Sequence, residues 1–332
     1  MRKLSVFCLL LIVLAACGNN TDEESTDQTG EDAKQLKKIT LVLDWTPNTN
    51  HTGLYVARDK GYFEEEGLDV DIIQPGEAGA EQLVATGNAD FGVSYQEGIT
   101  EARIQNVPIV SIAAIIQHNT SGFASLKENN ITTAKDFEGK SYGGWGAPVE
   151  KAVLDSIMQE DNADVEKVEI VNIGNTDFFT ALEQGIDFAW IYYGWDGIKA
   201  ELRDQPLHMN YLTDYSKKLD YYTPVLATNE NMIQDDPETI KSFLRAVSKG
   251  YEFAIENPSE AADVLIEAVP DLDPELVKAS QEWLSPKYQD DAEKWGIQKL
   301  EIWENYANWM YENDLLEVEL DSEQAFTNDF LP

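Results

Sequence analysis

Five aromatic residues of this 332-residue chain lie at the ends of predicted strands and within two positions of a Gly, Asp or Glu: Trp45, Tyr95, Trp145, Tyr192 and Trp195. Aromatic rings stack on flat ligands, and each stack contributes roughly 0.5–1.5 kcal/mol beyond the burial of area. Polar side chains in the same stretches could accept hydrogen bonds from ring amines and orient a ligand. They are Asp44, Asn48, His51, Glu97, Asn175 and Asp196. These residue types favour a planar ring that carries an amine and is neutral or cationic.

The same stretches contain no Lys or Arg, which a sulfonate, nitrate or phosphate site would need as cationic donors. Cysteine occurs only at Cys8 and Cys17, and histidine only at His51, His118 and His208. Residues 18–332 can therefore form no disulfide, no thiolate metal site and no cysteine nucleophile. We expect no catalytic residue, no cofactor and no bound metal.

The net charge of the chain indicates which kinds of molecule it could bind. The chain has 61 acidic and 24 basic residues and a formal net charge of −37. Such a charge opposes binding to nucleic acid and docking on anionic lipid headgroups. Hydrophobic residues make up 43% of the chain, which is typical of a folded protein, and the length suits about two domains. A small molecule is the expected ligand.

Short apolar runs precede the candidate residues, and helical patterns follow them. Predicted strands cover 39–43, 68–73, 89–95, 107–116, 140–145, 167–173 and 188–193, and from Pro237 onward the pattern is almost wholly helical. This alternation predicts an α/β protein with parallel, helix-covered sheets. Ligands of such sheets bind beyond the carboxyl ends of the strands, where the candidate residues lie.

Two series of strands and helices predict two lobes around a ligand cleft, with helices at the C-terminus. We expect the first lobe to comprise 38–123 plus 229–332 and the second lobe 124–228. The expected crossovers between them are 122–125 and 225–229.

The N-terminal residues predict export and lipidation. Arg2 and Lys3 precede an apolar run over 4–16 that is too short for a stable membrane-spanning helix, and the run ends in Leu14-Ala15-Ala16-Cys17. This junction resembles the lipobox of bacterial lipoproteins. We therefore expect a signal peptide over 1–16, then a lipid on Cys17 and a polar tether over 17–37. The chain would be anchored on the outer face of the cell membrane.

Several stretches resemble the thiamine-pyrimidine-precursor family. They are Asp44-Trp45-Thr46-Pro47-Asn48-Thr49-Asn50-His51-Thr52-Gly53-Leu54-Tyr55-Val56-Ala57, Lys60-Gly61-Tyr62-Phe63, Glu66-Gly67-Leu68, Gly87-Asn88-Ala89-Asp90-Phe91-Gly92 and Ser94-Tyr95-Gln96-Glu97. The resemblance covers roughly 38–320 and implies a type II periplasmic-binding-protein fold. Members of the family include substrate-binding lipoproteins of bacterial ABC importers and fungal pyrimidine synthases.

The resemblance to the synthases is incomplete at their functional positions. The synthases use iron in a cysteine-rich motif and a lysine that holds pyridoxal phosphate. The corresponding stretches here, 142–146 and 44–50, contain no Cys and no Lys. His51 matches the histidine that the synthases consume, and in this chain it would serve as a donor or acceptor in the pocket.

The resemblance implies a solute receptor for N-formyl-4-amino-5-aminomethyl-2-methylpyrimidine, a breakdown product of thiamine that is salvaged. Its partners would be an ABC permease and the ATPase of that permease, and we expect the receptor to be a monomer. Two alternatives stay open. One is a receptor of the same fold for riboflavin or hydroxymethylpyrimidine, and the other is a pyrimidine synthase.

We predict that Cys17 carries the lipid. Cys17→Ala should give protein that is soluble or uncleaved, because the thiol is the site of both lipid attachment and cleavage. Mass spectrometry of the N-terminal peptide from wild-type and variant cells measures this. Wild-type protein without lipid at Cys17 would contradict the prediction.

Overall fold

The computed structural model describes residues 35–76, 78–174 and 176–332. Cys17 and Asn175 lie outside these residues, as do the expected signal peptide and most of the tether. The strands are β1 (Lys37–Val42), β2 (Leu68–Ile73), β3 (Phe91–Ser94), β4 (Ile109–Ala114), β5 (Ser121–Leu126), β6 (Ser141–Gly144), β7 (Glu169–Asn172), β8 (Phe188–Tyr192), β9 (Leu207–Tyr211) and β10 (Val225–Asn229).

Helices of varied length cover the sheets. They are α1 (Thr52–Asp59), α2 (Tyr62–Glu65), α3 (Gly79–Ala85), α4 (Gln96–Ile104), α5 (Pro148–Glu160), α6 (Phe178–Glu183), α7 (Ile198–Leu202), α8 (Leu212–Tyr215), α9 (Glu230–Asp235), α10 (Pro237–Glu256), α11 (Pro258–Ala268), α12 (Pro274–Leu284) and α13 (Leu300–Glu312). Proline opens α5, α10, α11 and α12, where the missing N–H costs no intrahelical bond. No helix within the described residues is long and apolar enough to cross a membrane.

The strands form two five-stranded sheets, which confirms the expected α/β class. The first sheet has the order β2-β1-β3-β10-β4 and the second the order β7-β6-β8-β5-β9. In the first sheet β1 runs parallel to β2 and β3, with Leu41 opposite Phe91. In the second sheet β6 runs parallel to β7 and β8, with Tyr142 opposite Phe188. The carboxyl ends of these parallel strands therefore share one edge of each sheet.

The segments expected to be crossovers are strands instead. β5 pairs antiparallel with β8 and β9, and β10 pairs antiparallel with β3 and β4. The expected boundaries at 123/124 and 228/229 therefore fall inside strands, and the chain passes between the sheets at 115–120 and 220–224. Both strands pair with partners distant in sequence, so their local pattern does not reveal their place.

The two connections between the sheets are hydrogen-bonded to each other. The backbone N–H of Asn119 donates to Asp220 Oδ1 at 2.9 Å, and its side-chain amide donates to the carbonyl of Leu219 at 3.1 Å. His118 Nδ1 lies 2.7 Å from Asp220 Oδ2. The connections therefore form one hydrogen-bonded unit between the sheets.

Each sheet has its own apolar core, and α13 contributes to more than one cluster. Phe91 of the first sheet stacks on Phe243 of α10 with ring centroids 3.8 Å apart. Trp303 of α13 packs in a further cluster with β1 and β10 residues, whereas Tyr306 and Trp309 pack in the core of the second sheet. The expected assignment of 229–332 to the first lobe therefore does not describe α13, whose buried side chains reach both halves.

Candidate ligand-binding cleft

Four of the predicted ring faces are exposed at the carboxyl ends of parallel strands. Trp45 follows β1, Tyr95 follows β3, Trp145 follows β6, and Tyr192 ends β8. Their exposed fractions are 57%, 40%, 48% and 42% in that order. Eight large apolar side chains are exposed in the described part of the chain, and these four are half of them. Exposed aromatic side chains grouped in this way mark a surface that binds something.

A cavity of about 400 Å³ lies between the loops of the two sheets. It combines two of the exposed rings with carboxylates from both halves of the chain. Its lining residues are Tyr95, Glu97, Glu101, Trp145, Ala147, Pro148, Val149, Asp314 and Leu315. No Lys, Arg or His is among these lining residues. The volume suits a small organic ligand, and the lining suits an amine.

A buried carboxylate holds the loop that carries Trp145. Glu150 is only 2% exposed, and its oxygens accept four hydrogen bonds. The donors are the hydroxyl of Tyr142 and the backbone N–H groups of Trp145, Gly146 and Ala147, at 2.7–3.0 Å. These bonds compensate the carboxylate for its lost hydration and fix the loop. Glu150 therefore positions the aromatic face and does not itself face a ligand.

His51 forms a hydrogen bond with Asp44 and fixes the orientation of its carboxylate. His51 is fully buried, and its Nδ1 accepts a hydrogen bond from the backbone N–H of Asn48 at 3.2 Å. Because Nδ1 is an acceptor, the ring proton of the neutral imidazole resides on Nε2, which donates to Asp44 Oδ1 at 2.7 Å. Both ring nitrogens of His51 are thus occupied within the protein. Its role here is to position Asp44, in place of the expected direct contact with a ligand.

Asn48 is likewise occupied by its own loop. Its Oδ1 accepts from the backbone N–H of Asn50 at 2.9 Å, and its Nδ2 donates to the carbonyl of Thr46 at 3.0 Å. Tyr288 and Tyr251 donate to the carbonyls of Thr49 and Asn50 at 2.6 and 2.7 Å. The stretch that carries Asp44 and Trp45 is therefore held by hydrogen bonds from α10 and the residues after α12.

Few hydrogen bonds compensate the carboxylate of Glu97 for its partial burial. The hydroxyl of Tyr306 donates to Glu97 Oε2 across a long 3.4 Å. Burial first, and then the charges of Glu101 and Glu150, raise the pKa of Glu97 to about 7, while the Tyr306 contact opposes this rise. Glu97 is therefore divided between its protonated and ionised forms near neutral pH.

The hydroxyl of Tyr192 lies within electrostatic reach of both Glu97 and Asp44. The same hydroxyl lies 3.3 Å from Thr223 Oγ1. Removal from water is the main cause that raises the pKa of Tyr192 to about 12, and the charges of Glu97 and Asp44 add to it, while the Thr223 contact opposes it. Since both charges act on this hydroxyl, Asp44, Glu97 and Tyr192 converge on one region.

Trp195 and Asp196 follow Tyr192 in the chain, just beyond the end of β8. Trp195 is half-buried and packs against the apolar core of the first sheet. Burial raises the pKa of Asp196 to about 6, and the charges acting on it are those of Lys199, Asp177 and Arg203. None of these is a residue that acts on Glu97. The roles of Trp195 and Asp196 as ligand contacts stay predictions.

Sequence reasoning missed two buried tyrosines behind Glu97. Tyr221 and Tyr306 stack with ring centroids 4.0 Å apart, and the hydroxyl of Tyr306 reaches Glu97. Tyr306 belongs to an apolar helical stripe, which indicates a core residue, and Tyr221 lies in a connection between the sheets. No local signal distinguishes a core tyrosine from one whose hydroxyl contacts the cleft.

A second cavity of about 370 Å³ has a different character. Its lining includes the cationic side chains His118 and Lys287 together with Trp283 and Tyr211. The hydrogen bond to Asp220, which outweighs the opposing effect of burial, raises the pKa of His118 to about 9, and Asp291 contributes further. This cavity contains none of the predicted site residues.

Glu97→Gln should alter how stability depends on pH. The folded-state pKa of Glu97, about 7, lies above the ordinary value of 4.5, so the folded protein binds more protons than the unfolded chain between these pH values. The free energy of unfolding should therefore fall as the pH rises from 4.5 to 7, by on the order of 1–3 kcal/mol. The variant lacks this loss and should be more stable than wild type at pH 8, but not at pH 4.5.

Urea unfolding of ligand-free protein at pH 4.5, 6 and 8 measures the effect. Glu304→Gln is the matched control, because Glu304 is exposed on α13. Identical pH dependence in wild type and Glu97→Gln would contradict the raised pKa.

The chain is similar to known proteins that are named for pyrimidines. The chain is 31% identical to a formylaminopyrimidine-binding protein of Halalkalibacterium halodurans, with 99% of each chain covered. It is 25% identical to a 4-amino-5-hydroxymethyl-2-methylpyrimidine phosphate synthase of Legionella pneumophila, over 89% of this chain and 92% of that protein.

A solved structure supports the fold. The periplasmic aliphatic sulphonate-binding protein SsuA of Escherichia coli superposes with a TM-score of 0.66, at 12% identity, over 87% of this chain and 91% of that chain. This confirms the expected type II periplasmic-binding-protein fold. Residues 48–261 match the family described as NMT1/THI5 like. The chain therefore belongs to the NMT1/THI5-like family.

Proposed function

We propose that the chain is the solute-binding component of an ABC importer and captures a thiamine-derived aminopyrimidine, formylaminopyrimidine above all. The observation that carries this proposal is the set of four exposed rings at the carboxyl ends of parallel strands, Trp45, Tyr95, Trp145 and Tyr192. Two of them, Tyr95 and Trp145, line one cavity together with carboxylates. The relative from Halalkalibacterium halodurans supports the choice of ligand. The delivered pyrimidine would serve thiamine salvage.

The proposed binding mode combines stacking on the aromatic rings with hydrogen bonds to a carboxylate. The pyrimidine stacks on one or two of the exposed rings, and a carboxylate, Asp44 or Glu97, accepts from its exocyclic amine. Closure of the two halves buries the ligand and forms the surface that the permease and its ATPase recognise. A Kd between micromolar and nanomolar, about −8 to −12 kcal/mol, would suit capture and release. The receptor would act as a monomer anchored through Cys17.

The loop at 142–146 argues against the synthase alternative. A Cβ at Gly144 would lie 2.1 Å from Glu150 Oε2, and a Cβ at Gly143 would lie 2.9 Å from side chains of Ile173 and Ile186. A side chain at Gly144 would displace Glu150, which holds the loop, and a side chain at Gly143 would crowd the two isoleucines. The residues present therefore do not fit a cysteine-rich iron motif, and we infer that the chain is not an enzyme.

The direct test is identification of the ligand. Mass spectrometry of protein purified under mild conditions should find a retained aminopyrimidine, and titration calorimetry should show that formylaminopyrimidine binds more tightly than riboflavin or taurine. Preferential binding of riboflavin would support the receptor for another flat ring. Tight binding of taurine without pyrimidine binding would contradict the proposal, because an anion site disagrees with a lining of carboxylates.

Removal of a ring face should weaken binding without unfolding the protein. Trp45→Ala, Tyr95→Ala or Trp145→Ala should each cost about 1–3 kcal/mol of binding free energy, since stacking and apolar burial are lost together. Tyr311→Ala is the control, because Tyr311 is 41% exposed but lies on α13, away from the ends of the strands. Calorimetry with formylaminopyrimidine gives the affinities. An unchanged Kd in all three variants would contradict the proposed stacking.

His51 should act on the ligand only through Asp44. His51→Leu removes the donor to Asp44 and should weaken binding by about 1–2 kcal/mol, while His51→Gln keeps an N–H donor and should recover most of the affinity. The melting temperature of each ligand-free variant shows whether the fold is retained. Equal losses in the two folded variants would contradict a positioning role.

A further inference from the structure

The geometry points to proton-coupled recognition: a 4-aminopyrimidine binds against Glu97 together with one proton from solvent, which is shared between a ring nitrogen and the carboxylate. This inference rests on the proposed function and names the kind of ring that the cavity prefers. The proton balance is simple. An ionised carboxylate, a neutral ring and one proton combine into a single N–H···O pair, and no covalent bond forms or breaks.

The groups around Glu97 favour the uptake of a proton. The titratable groups that act on it or on its near neighbours are acids or phenols: Asp44, Glu81, Glu101, Glu150, Tyr95, Tyr192, Tyr221 and Tyr306. The cavity lining adds Asp314 and contains no Lys, Arg or His. A carboxylate so placed has no countercharge from the protein, so a bound cation or a proton must supply it.

Glu97, which is partly buried, contrasts with the almost fully buried Glu150 behind the Trp145 loop. Four donors at 2.7–3.0 Å satisfy Glu150. The contact that satisfies Glu97 is the Tyr306 hydroxyl at 3.4 Å. Glu97 therefore retains free acceptor capacity next to Tyr95, which is 40% exposed and lines the same cavity.

The hydrogen-bonding edge of the ring also favours the uptake of a proton. A 4-aminopyrimidine presents an amine donor beside a ring nitrogen that is an acceptor. A carboxylate facing this edge accepts one hydrogen bond but places its second oxygen against a lone pair. One added proton converts that repulsion into a second hydrogen bond, and both groups are then satisfied. The basic ring of an aminopyrimidine meets this condition, whereas the ring of riboflavin is not basic.

Proton uptake on binding makes the affinity fall as the pH rises. Since the pKa of Glu97 is about 7 in the free protein, the carboxyl is mostly ionised at pH 8, and binding should take up close to one proton. The Kd should then weaken about tenfold for each pH unit above 8. At pH 6 the carboxyl already holds its proton, so the uptake should fall to zero or below.

Titration calorimetry with 4-amino-5-hydroxymethyl-2-methylpyrimidine, in phosphate and Tris at pH 8 and in phosphate and MES at pH 6, counts the protons because the ionisation enthalpies of the paired buffers differ. Wild type and Glu304→Gln should take up close to one proton at pH 8. Glu97→Gln should take up none, and its Kd should be independent of pH between 7 and 9.

Three outcomes would overturn the inference. Binding by wild type without proton uptake at pH 8 would refute it and leave the proposed function intact. Uptake that persists in Glu97→Gln would refute the role of this residue. Absence of binding by this ring and by formylaminopyrimidine would refute both the inference and the proposed function.

Discussion

Removal of a carboxylate from water is costly unless donors replace the lost hydration, and the cleft depends on how two glutamates meet this cost. Glu150 is compensated by four donors, and in return it fixes the backbone that presents Trp145. Glu97 is compensated poorly, so its pKa rises to about 7 and it keeps acceptor capacity for a ligand. One carboxylate therefore builds the site, and the other is left for binding.

The residue types of the site could be predicted from sequence, but their partners could not. Aromatic residues after parallel strands indicate ring faces, and four of the five predicted faces are exposed there. The sequence does not show that His51 uses both ring nitrogens within the protein, because that depends on where Asp44 and the backbone of Asn48 come to lie. Nor does it show that the Tyr306 hydroxyl reaches Glu97 from a helix more than 200 positions away.

The strands of the fold, like the site, could be predicted from sequence only in part. Strands with local alternation or a continuous apolar run, such as β2 and β4, are evident from sequence. β5 and β10 are short, and their places in the sheets are set by antiparallel partners distant in the chain. These two strands flank the points where the chain passes between the halves, so reading them as crossovers displaces the boundary by a few residues. Long-range pairing, which local patterns do not encode, accounts for the difference.

The connections between the halves restrict how the cleft can close. Asn119 and Asp220 bind the two connections to each other, and Ser280 of α12 donates to the carbonyl of Gly194 in the second half. Trp195 packs on the core of the first sheet. Contacts of this kind would hold one side of the interface while loops elsewhere move. Within the described residues no such bond joins Glu97 to the second sheet, so a ligand that stacks on the rings and shares a solvent proton with this carboxylate would add contacts on this side of the interface.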